Sequence, residues 1–302
     1  MSPRKSELLA IEALVCRDVG RKTQALIDAS RGELALAAQS LAKAASVGLI
    51  TGFFVPRGEV AAPETDGPVG TALLAAALAA CGVPTRIAVD SPCADAVRAA
   101  VHETGERVTV DETGVEDGPG IERVTGAWRD AGVTHAIAIE RCGISPDGRP
   151  RNMRGVDVSP WTAPLDDLFT SGSWAKIGVG DGGNEIGMGK LPAGLIAASV
   201  PNGEKIACVT GCDHLVVAGV SNWGAYGLMA ALAVLHETWS PIIAKFLTAE
   251  RDLAVTRAIV AKTGAVDGVT ARNEATVDGF GPEIHGAVID DLRRIAWPKS
   301  AD

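Results

Sequence analysis

Short apolar runs of strand length alternate along this chain with longer segments of helical period, and that alternation restricts the fold more than any other feature. VGLITGFFV (47–55), TRIAVD (85–90), RVTV (107–110), THAIAIE (134–140), WAKIGVG (174–180), KIACV (205–209) and LVVAG (215–219) read as strands. Between and after them the spacing predicts helices over 25–45, 68–82, 92–103, 119–131, 224–238, 241–263 and 281–296. Strands that are apolar throughout must be covered on both faces. The expected fold class is therefore α/β: a mostly parallel sheet with helices on both faces, a layered sandwich. With 302 residues, 47% of them hydrophobic, one such domain is expected to fill 1–302.

Ligands of parallel sheets gather beyond the carboxyl ends of the strands, which directs attention to three loops. The first follows 47–55 and carries Glu64, Thr65 and Asp66; the second begins with Glu140 and Arg141; the third is IGVGDGGNEIGMGK (177–190), with six glycines in fourteen positions. Gly178, Gly180 and Gly183 match the G-x-G-x-x-G dinucleotide pattern. The residues after them are too glycine-rich for the helix on which a pyrophosphate rests, and Asp181 and Glu185 would repel it. A P-loop fails, since Asn184 occupies the position of its first glycine and Leu191 that of its Ser/Thr. A hard cation suits the loop better. Asp181, Asn184 and Glu185 offer the oxygen donors that Mn²⁺ or Mg²⁺ prefers, and glycines at 180, 182 and 183 permit positive φ. An acidic surface turn is the plain alternative. Asp66 alone reads as a helix N-cap, and Glu140 with Arg141 fits a structural ion pair as well as a site.

The chain carries 37 acidic and 28 basic side chains, net −9, without a basic block, which argues against nucleic acid as a partner. An anionic substrate then needs a local cation or basic groups. RNMRGVDVSP (151–160) supplies Asn152 and Arg154 for this purpose, with Arg141 and Lys190 as further candidates. Ser221 and Asn222 open a helix whose first N–H groups also suit an anion. Asp267 and Asp278, each before a glycine, read as turns or as the rim of the same site. No apolar stretch approaches the roughly 20 residues of a membrane span, and the N-terminus lacks a signal-peptide pattern. Six scattered cysteines suit a reducing compartment, so a cytoplasmic location is expected, with a homo-oligomer compatible. Cys208, Cys212, Asp213 and His214 lack a second Cys/His pair at zinc-finger spacing, and no G-x-S-x-G elbow marks a serine hydrolase.

GVGDGGNEIGMGK, ETDGPVG, IERCG, NMRG, VSNWGAYGL and GAVDGVT together resemble the D-glutamate cyclase family, specifically the C-terminal domain of its larger animal members. The likeness runs from about residue 51 to 279. It implies a lyase that releases water from D-glutamate to give 5-oxo-D-proline, helped by a divalent metal, Mn²⁺ or Mg²⁺. It also implies a metal site among Asp66, Glu140, Asp181, Asn184 and Glu185. Glu185, Glu140 and Asp181 would do the chemistry, with Arg154, Asn152, Arg141, Lys190, Ser221 and Asn222 around an acidic amino acid. Two other readings remain: a metal-dependent, phosphatase-like hydrolase acting on a small anion, and a nucleotide-binding module.

Overall fold

The computed structural model describes residues 3–57 and 60–298. Three helices, α1 (Pro3–Val15), α2 (Gln24–Ala29) and α3 (Glu33–Leu41), precede the first strand, β1 (Val47–Ile50). A hairpin of β2 (Phe54–Arg57) and β3 (Val60–Pro63) stands apart from the main sheet. Then follow α4 (Pro68–Ala80), β4 (Thr85–Asp90), α5 (Ser91–Thr104), β5 (Thr109–Thr113), α6 (Gly118–Asp130), β6 (His135–Ile139), α7 (Leu165–Ser171) and β7 (Ala175–Gly180). The remaining elements are α8 (Leu195–Ser199), α9 (Gly203–Ile206), β8 (His214–Val217), α10 (Ser221–Leu235), α11 (Ser240–Ile243), α12 (Ala249–Thr263) and α13 (Pro282–Ala296). Among the described residues no helix is long and apolar enough to cross a membrane.

Six strands form one parallel sheet in the order β5-β4-β1-β6-β7-β8. The two faces differ in a way that the strand sequences dictate. Val47, Leu49, Ile87, Val89, Ile137, Ile139, Ile177, Val179 and Val216 point into a large core formed with α1, α3, α4, α5, α10, α12 and α13. Alternate positions are small, with Ala88, Ala136 and Ala138 on the other face, where α6 and α7 bring Trp128, Leu168 and Phe169 close to the strands. Bulk from the helices fills what the strands leave open.

Several expected boundaries shift. The helix expected over 25–45 is broken into α2 and α3, because Gly32 takes a left-handed conformation, φ 91°. The one expected over 241–263 breaks between α11 and α12, where the Thr248 side chain accepts from Arg251 N–H and starts a new helix. The run 47–55 is not one strand, since the chain leaves the sheet after Ile50 and enters the hairpin at Phe54. The strand expected at 107–110 falls instead at 109–113. KIACV is not a strand: Lys205 and Ile206 end α9, and the Cys208 and Val209 N–H groups donate to Gly183 O and Ile144 O in loops. Its apolar side chains still pay their way, Ile206 and Cys208 packing with Met188, Leu191 and Ile196.

From β1 the chain builds β4 and β5 to one side, then crosses to build β6, β7 and β8 on the other. The crevice of a doubly wound sheet opens at such a reversal, here between the carboxyl ends of β1 and β6.

Candidate functional site

Glu140 is the first residue beyond β6, Asp181 the first beyond β7, and Asp66 enters the same crevice from the segment after the hairpin. One carboxylate oxygen from each lies within 4.8 Å of the others, and all three residues are buried. Glu140 holds φ 44°, a left-handed value that a residue with a Cβ adopts at a cost, and such strain collects where a side chain must be aimed. Gly67, next to Asp66, has φ 90°, and a Cβ there would lie 2.7 Å from Thr51 Oγ1 and 2.8 Å from Glu140 Cβ. Only glycine lets the Asp66 segment come this close to the strand ends.

The N-termini of α4 and α10 cap each other. Neither Gly67 nor Val220, their N-cap residues, has a side chain that can accept, so the acceptors come across space. Asp66 Oδ1 accepts from Asn222 N–H (2.8 Å) and Gly67 N–H (2.9 Å), and its Oδ2 from Ser221 N–H (3.0 Å). Asn222 Oδ1 in turn accepts from Gly67 N–H (3.0 Å) and Gly70 N–H (2.8 Å). Asp66 is thus an N-cap, but of α10 and not of its own helix. The Ser221 hydroxyl donates to Glu140 Oε2 at 2.5 Å. Ser221 and Asn222 therefore hold the acids in place and do not line the cavity.

The glycine loop after β7 is organised from within. Glu185 Oε1 accepts from the N–H groups of Asp181 (2.8 Å) and Gly182 (2.6 Å), and its Oε2 from Gly183 (2.7 Å). Both its oxygens are engaged by backbone, as those of Asp66 are, but unlike Asp66 it does not belong to the group of carboxylates that meet within 4.8 Å, which corrects its expected place among the ligands. Of Gly180, Gly182 and Gly183 only Gly183 has positive φ, 111°; a Cβ on Gly180 would meet Glu185 Cδ at 2.8 Å. The loop continues in turns, with no helix before the five-residue α8, so a pyrophosphate has no helix N-terminus to rest on. Asn184 lines the cavity, its Nδ2 donating to Arg151 O at 2.9 Å.

The cavity measures about 360 Å³. Glu64, Glu140, Asp181 and Asp278 give it acid, Arg21, Lys22 and Arg154 give it base, and Phe53, Val55, Pro56 and Met153 form an apolar wall. Arg154 is exposed at the rim, beside Asn152, whose Oδ1 accepts from the N–H groups of Arg154 (3.0 Å) and Val156 (3.1 Å). Two expected basic groups are elsewhere. Arg141 is buried in an ion pair with Asp90 at 2.5 Å and donates to Gly52 O and Ala163 O, because the strand end turns it beneath the sheet edge. Lys190 pairs with Glu33 at 2.7 Å and donates to Asp213 O, outside the cavity wall.

Burial pushes the carboxyl groups of Asp66, Glu140 and Asp181 above the usual range. Neighbouring acids add to this, Asp278 for Asp66 and Glu185 for Glu140, while Arg21 opposes it at Asp181. Asp181 Oδ1 is paired with Arg21 at 2.6 Å, and its Oδ2 is buried without a hydrogen-bond partner. An open carboxylate oxygen beside two other carboxylates is what a hard divalent cation fits.

The family model for the D-glutamate cyclase-like C-terminal region matches residues 11–293. This chain belongs to that family. It is 36% identical over 219 residues to the human protein named D-glutamate cyclase, mitochondrial; the match covers 68% of this chain and 35% of the relative. The chain thus spans about a third of that relative's length.

Within the family fold, sequence reasoning missed Arg21 altogether. It stands in the turn between α1 and α2, where nothing in DVGRKT marks it, and joins Asp181 to Asp278 by a second ion pair of 2.5 Å. Glu64 did carry a signal, since it shares the acid-rich loop of Asp66. Asp278, read as a turn or a rim, is both: its φ is 57° and it lines the cavity.

Proposed function

We propose that this chain, as one α/β unit, is a divalent-metal-assisted lyase that cyclises D-glutamate to 5-oxo-D-proline with loss of water. The observation that carries the proposal is the convergence of Asp66, Glu140 and Asp181, three buried carboxylates from three separate loops. The name of the human relative, D-glutamate cyclase, supports the choice of substrate. In this reading Asp66 and Asp181 would hold Mn²⁺ or Mg²⁺, with Asn184 at the same wall and Glu140 beside the ion as the base. The bound cation supplies Lewis acidity toward a γ-carboxylate oxygen.

The chain's own residues do the rest. Arg154, exposed at the rim, pairs with the α-carboxylate, and Asn152 fixes the turn that presents it. Ser221 occupies Glu140 Oε2, which leaves Oε1 to take a proton from the α-ammonium. The nitrogen then closes on the carbon of the γ-carboxylate. The two protons that the ammonium gives up leave with one γ-oxygen as water, and Glu140 returns the proton it held. Phe53, Val55 and Met153 shield the ring that forms from bulk water. A small-molecule substrate suits a cavity of this size. A cytoplasmic location is also part of the proposal, supported by six free cysteines; the human relative is named as mitochondrial.

The test is incubation of chelator-stripped protein with D- or L-glutamate, with and without Mn²⁺ or Mg²⁺, and chiral chromatography of 5-oxoproline. Metal-dependent appearance of the D product is expected. Undiminished product in chelator would remove the metal, and no product from a protein that still binds Mn²⁺ would remove the substrate.

A further inference from the structure

Two acids of the cavity stand outside the converging trio. Glu64 and Asp278 line the wall, and neither belongs to the group whose oxygens meet within 4.8 Å. The Asp278 side chain is only 7% exposed; Oδ1 pairs with Arg21, and Oδ2 is buried with no hydrogen-bond partner. Its loop is pinned by Asp267, whose Oδ1 accepts from the N–H groups of Val269 (2.9 Å) and Thr270 (2.8 Å) and whose Oδ2 accepts from Gly279 N–H (2.7 Å).

The segments that carry the two acids are also stitched together. Val266 N–H donates to Pro63 O and Thr65 N–H to Val266 O, both at 2.9 Å, while the Thr65 hydroxyl donates to Thr276 O at 2.8 Å. The two segments are thus held together by backbone groups, independently of the carboxylates they carry. A built pair of acids with an open, buried oxygen calls for a ligand that is cationic and has N–H groups to donate. Five carboxylates (Glu64, Asp66, Glu140, Asp181 and Asp278) face one largely buried guanidinium, that of Arg21, while the other bases of the cavity, Lys22 and Arg154, are exposed.

We propose that Glu64 and Asp278 form a recognition subsite for the primary ammonium group of the substrate, separate from the carboxylates that hold the cation. The proposal rests on the reading above that the cavity takes an amino acid, and it adds which residues select for the amine. It also predicts the class of molecule that the site refuses: dicarboxylates without an amine.

The experiment compares D-glutamate with glutarate, which has both carboxylates and no ammonium, by thermal-shift titration of the Mn²⁺-loaded protein. Ligand in large excess keeps turnover from depleting it. In the unaltered protein D-glutamate should bind about tenfold or more tightly than glutarate, as charge-assisted hydrogen bonds imply. In Glu64→Gln and in Asp278→Asn the gap should shrink to about threefold or less through weaker D-glutamate binding, with Mn²⁺ affinity held. Glu64→Gln does not touch the Arg21 pair, so it stands as the test if Asp278→Asn folds poorly. A gap that persists in the variants, glutarate binding as well as D-glutamate, binding of neither, or a parallel loss of Mn²⁺ affinity would each overturn the proposal. Discrimination without 5-oxoproline formation would keep the subsite and reject the cyclase; 5-oxoproline formation without discrimination would do the reverse.

Discussion

Asp90 and Arg141 lie beneath the sheet edge as one acid and one base, 0% and 1% exposed, while Glu140, the residue next to Arg141, faces a cavity where acids outnumber buried bases. Both regions lie at the carboxyl ends of strands of one sheet. In the first, the guanidinium also donates to Gly52 O and Ala163 O, so the pair is matched in charge and serves the fold. Unpartnered buried atoms occur in both, Asp90 Oδ1 and Arg141 Nε in the first and Asp181 Oδ2 and Asp278 Oδ2 in the second, so the difference is one of charge: the first sets one base against one acid, while in the second burial holds the carboxyl groups of Asp66 and Asp181 above their usual range. Matched burial supports structure; unmatched burial is a demand for a ligand.

The largest effect expected from breaking this contrast is on the matched side. Arg141→Met should lower stability by about 3–5 kcal/mol, since Asp90 is left charged and alone, and the double variant with Asp90→Leu should recover much of that loss. Chemical denaturation of the three proteins checks it. On the unmatched side, Asp181→Asn should leave the fold near normal yet cut metal-dependent turnover by roughly a hundredfold or more, because even groups that only support a metal ligand are worth up to that much. Steady-state rates with Mn²⁺ decide it, and near-normal turnover would take Asp181 out of the cation site.

Acidity sharpens the comparison further. A carboxyl whose folded pKa is raised keeps a proton that the unfolded chain has already released, so its stabilising contribution is full below the unfolded value, about 4. That contribution is lost as pH rises through the folded value. Asp66, Glu140 and Asp181 all shift this way, so the metal-free protein should weaken with rising pH above about 4. Mn²⁺ favours the ionised form, and the melting-temperature gain it gives should grow between about pH 5 and pH 8. A flat gain would place the ion elsewhere. The smallest effects concern the basic groups. Arg154→Ala should raise KM several-fold with kcat little changed, while Lys190→Ala, which breaks a partly exposed pair with Glu33 and a hydrogen bond to Asp213 O, should alter stability by about 1 kcal/mol and leave KM alone.

How the sequence foreshadowed all this differs between sheet and site. Strand positions such as Leu49, Ile137 and Val179 were legible because a parallel sheet needs apolar residues on both faces, and that need shows as local runs. KIACV misled because an apolar run says only that side chains are buried, and Ile206 and Cys208 are buried from a helix end and a loop. The convergence of Asp66, Glu140 and Asp181 was foreshadowed by the loops that follow the strands, because such folds gather ligands at strand ends. Glu185 and Arg141 carry the same residue types in the same loops, and nothing local tells a carboxylate that binds its own backbone from one that faces the cavity.

The sequence by itself determined the α/β class, the edge of the sheet on which the acids gather, and the family. Those depend on periodicity and on motifs, which are written within a few residues of one another. The tertiary structure alone decided that Asn222 caps α4 while Asp66 caps α10, and that Arg21 joins Asp181 to Asp278. It also decided that Asp278 meets Glu64 at one wall. Each of these joins residues more than a hundred positions apart, and Coulomb and hydrogen-bond forces act over a few ångströms of space whatever the separation along the chain.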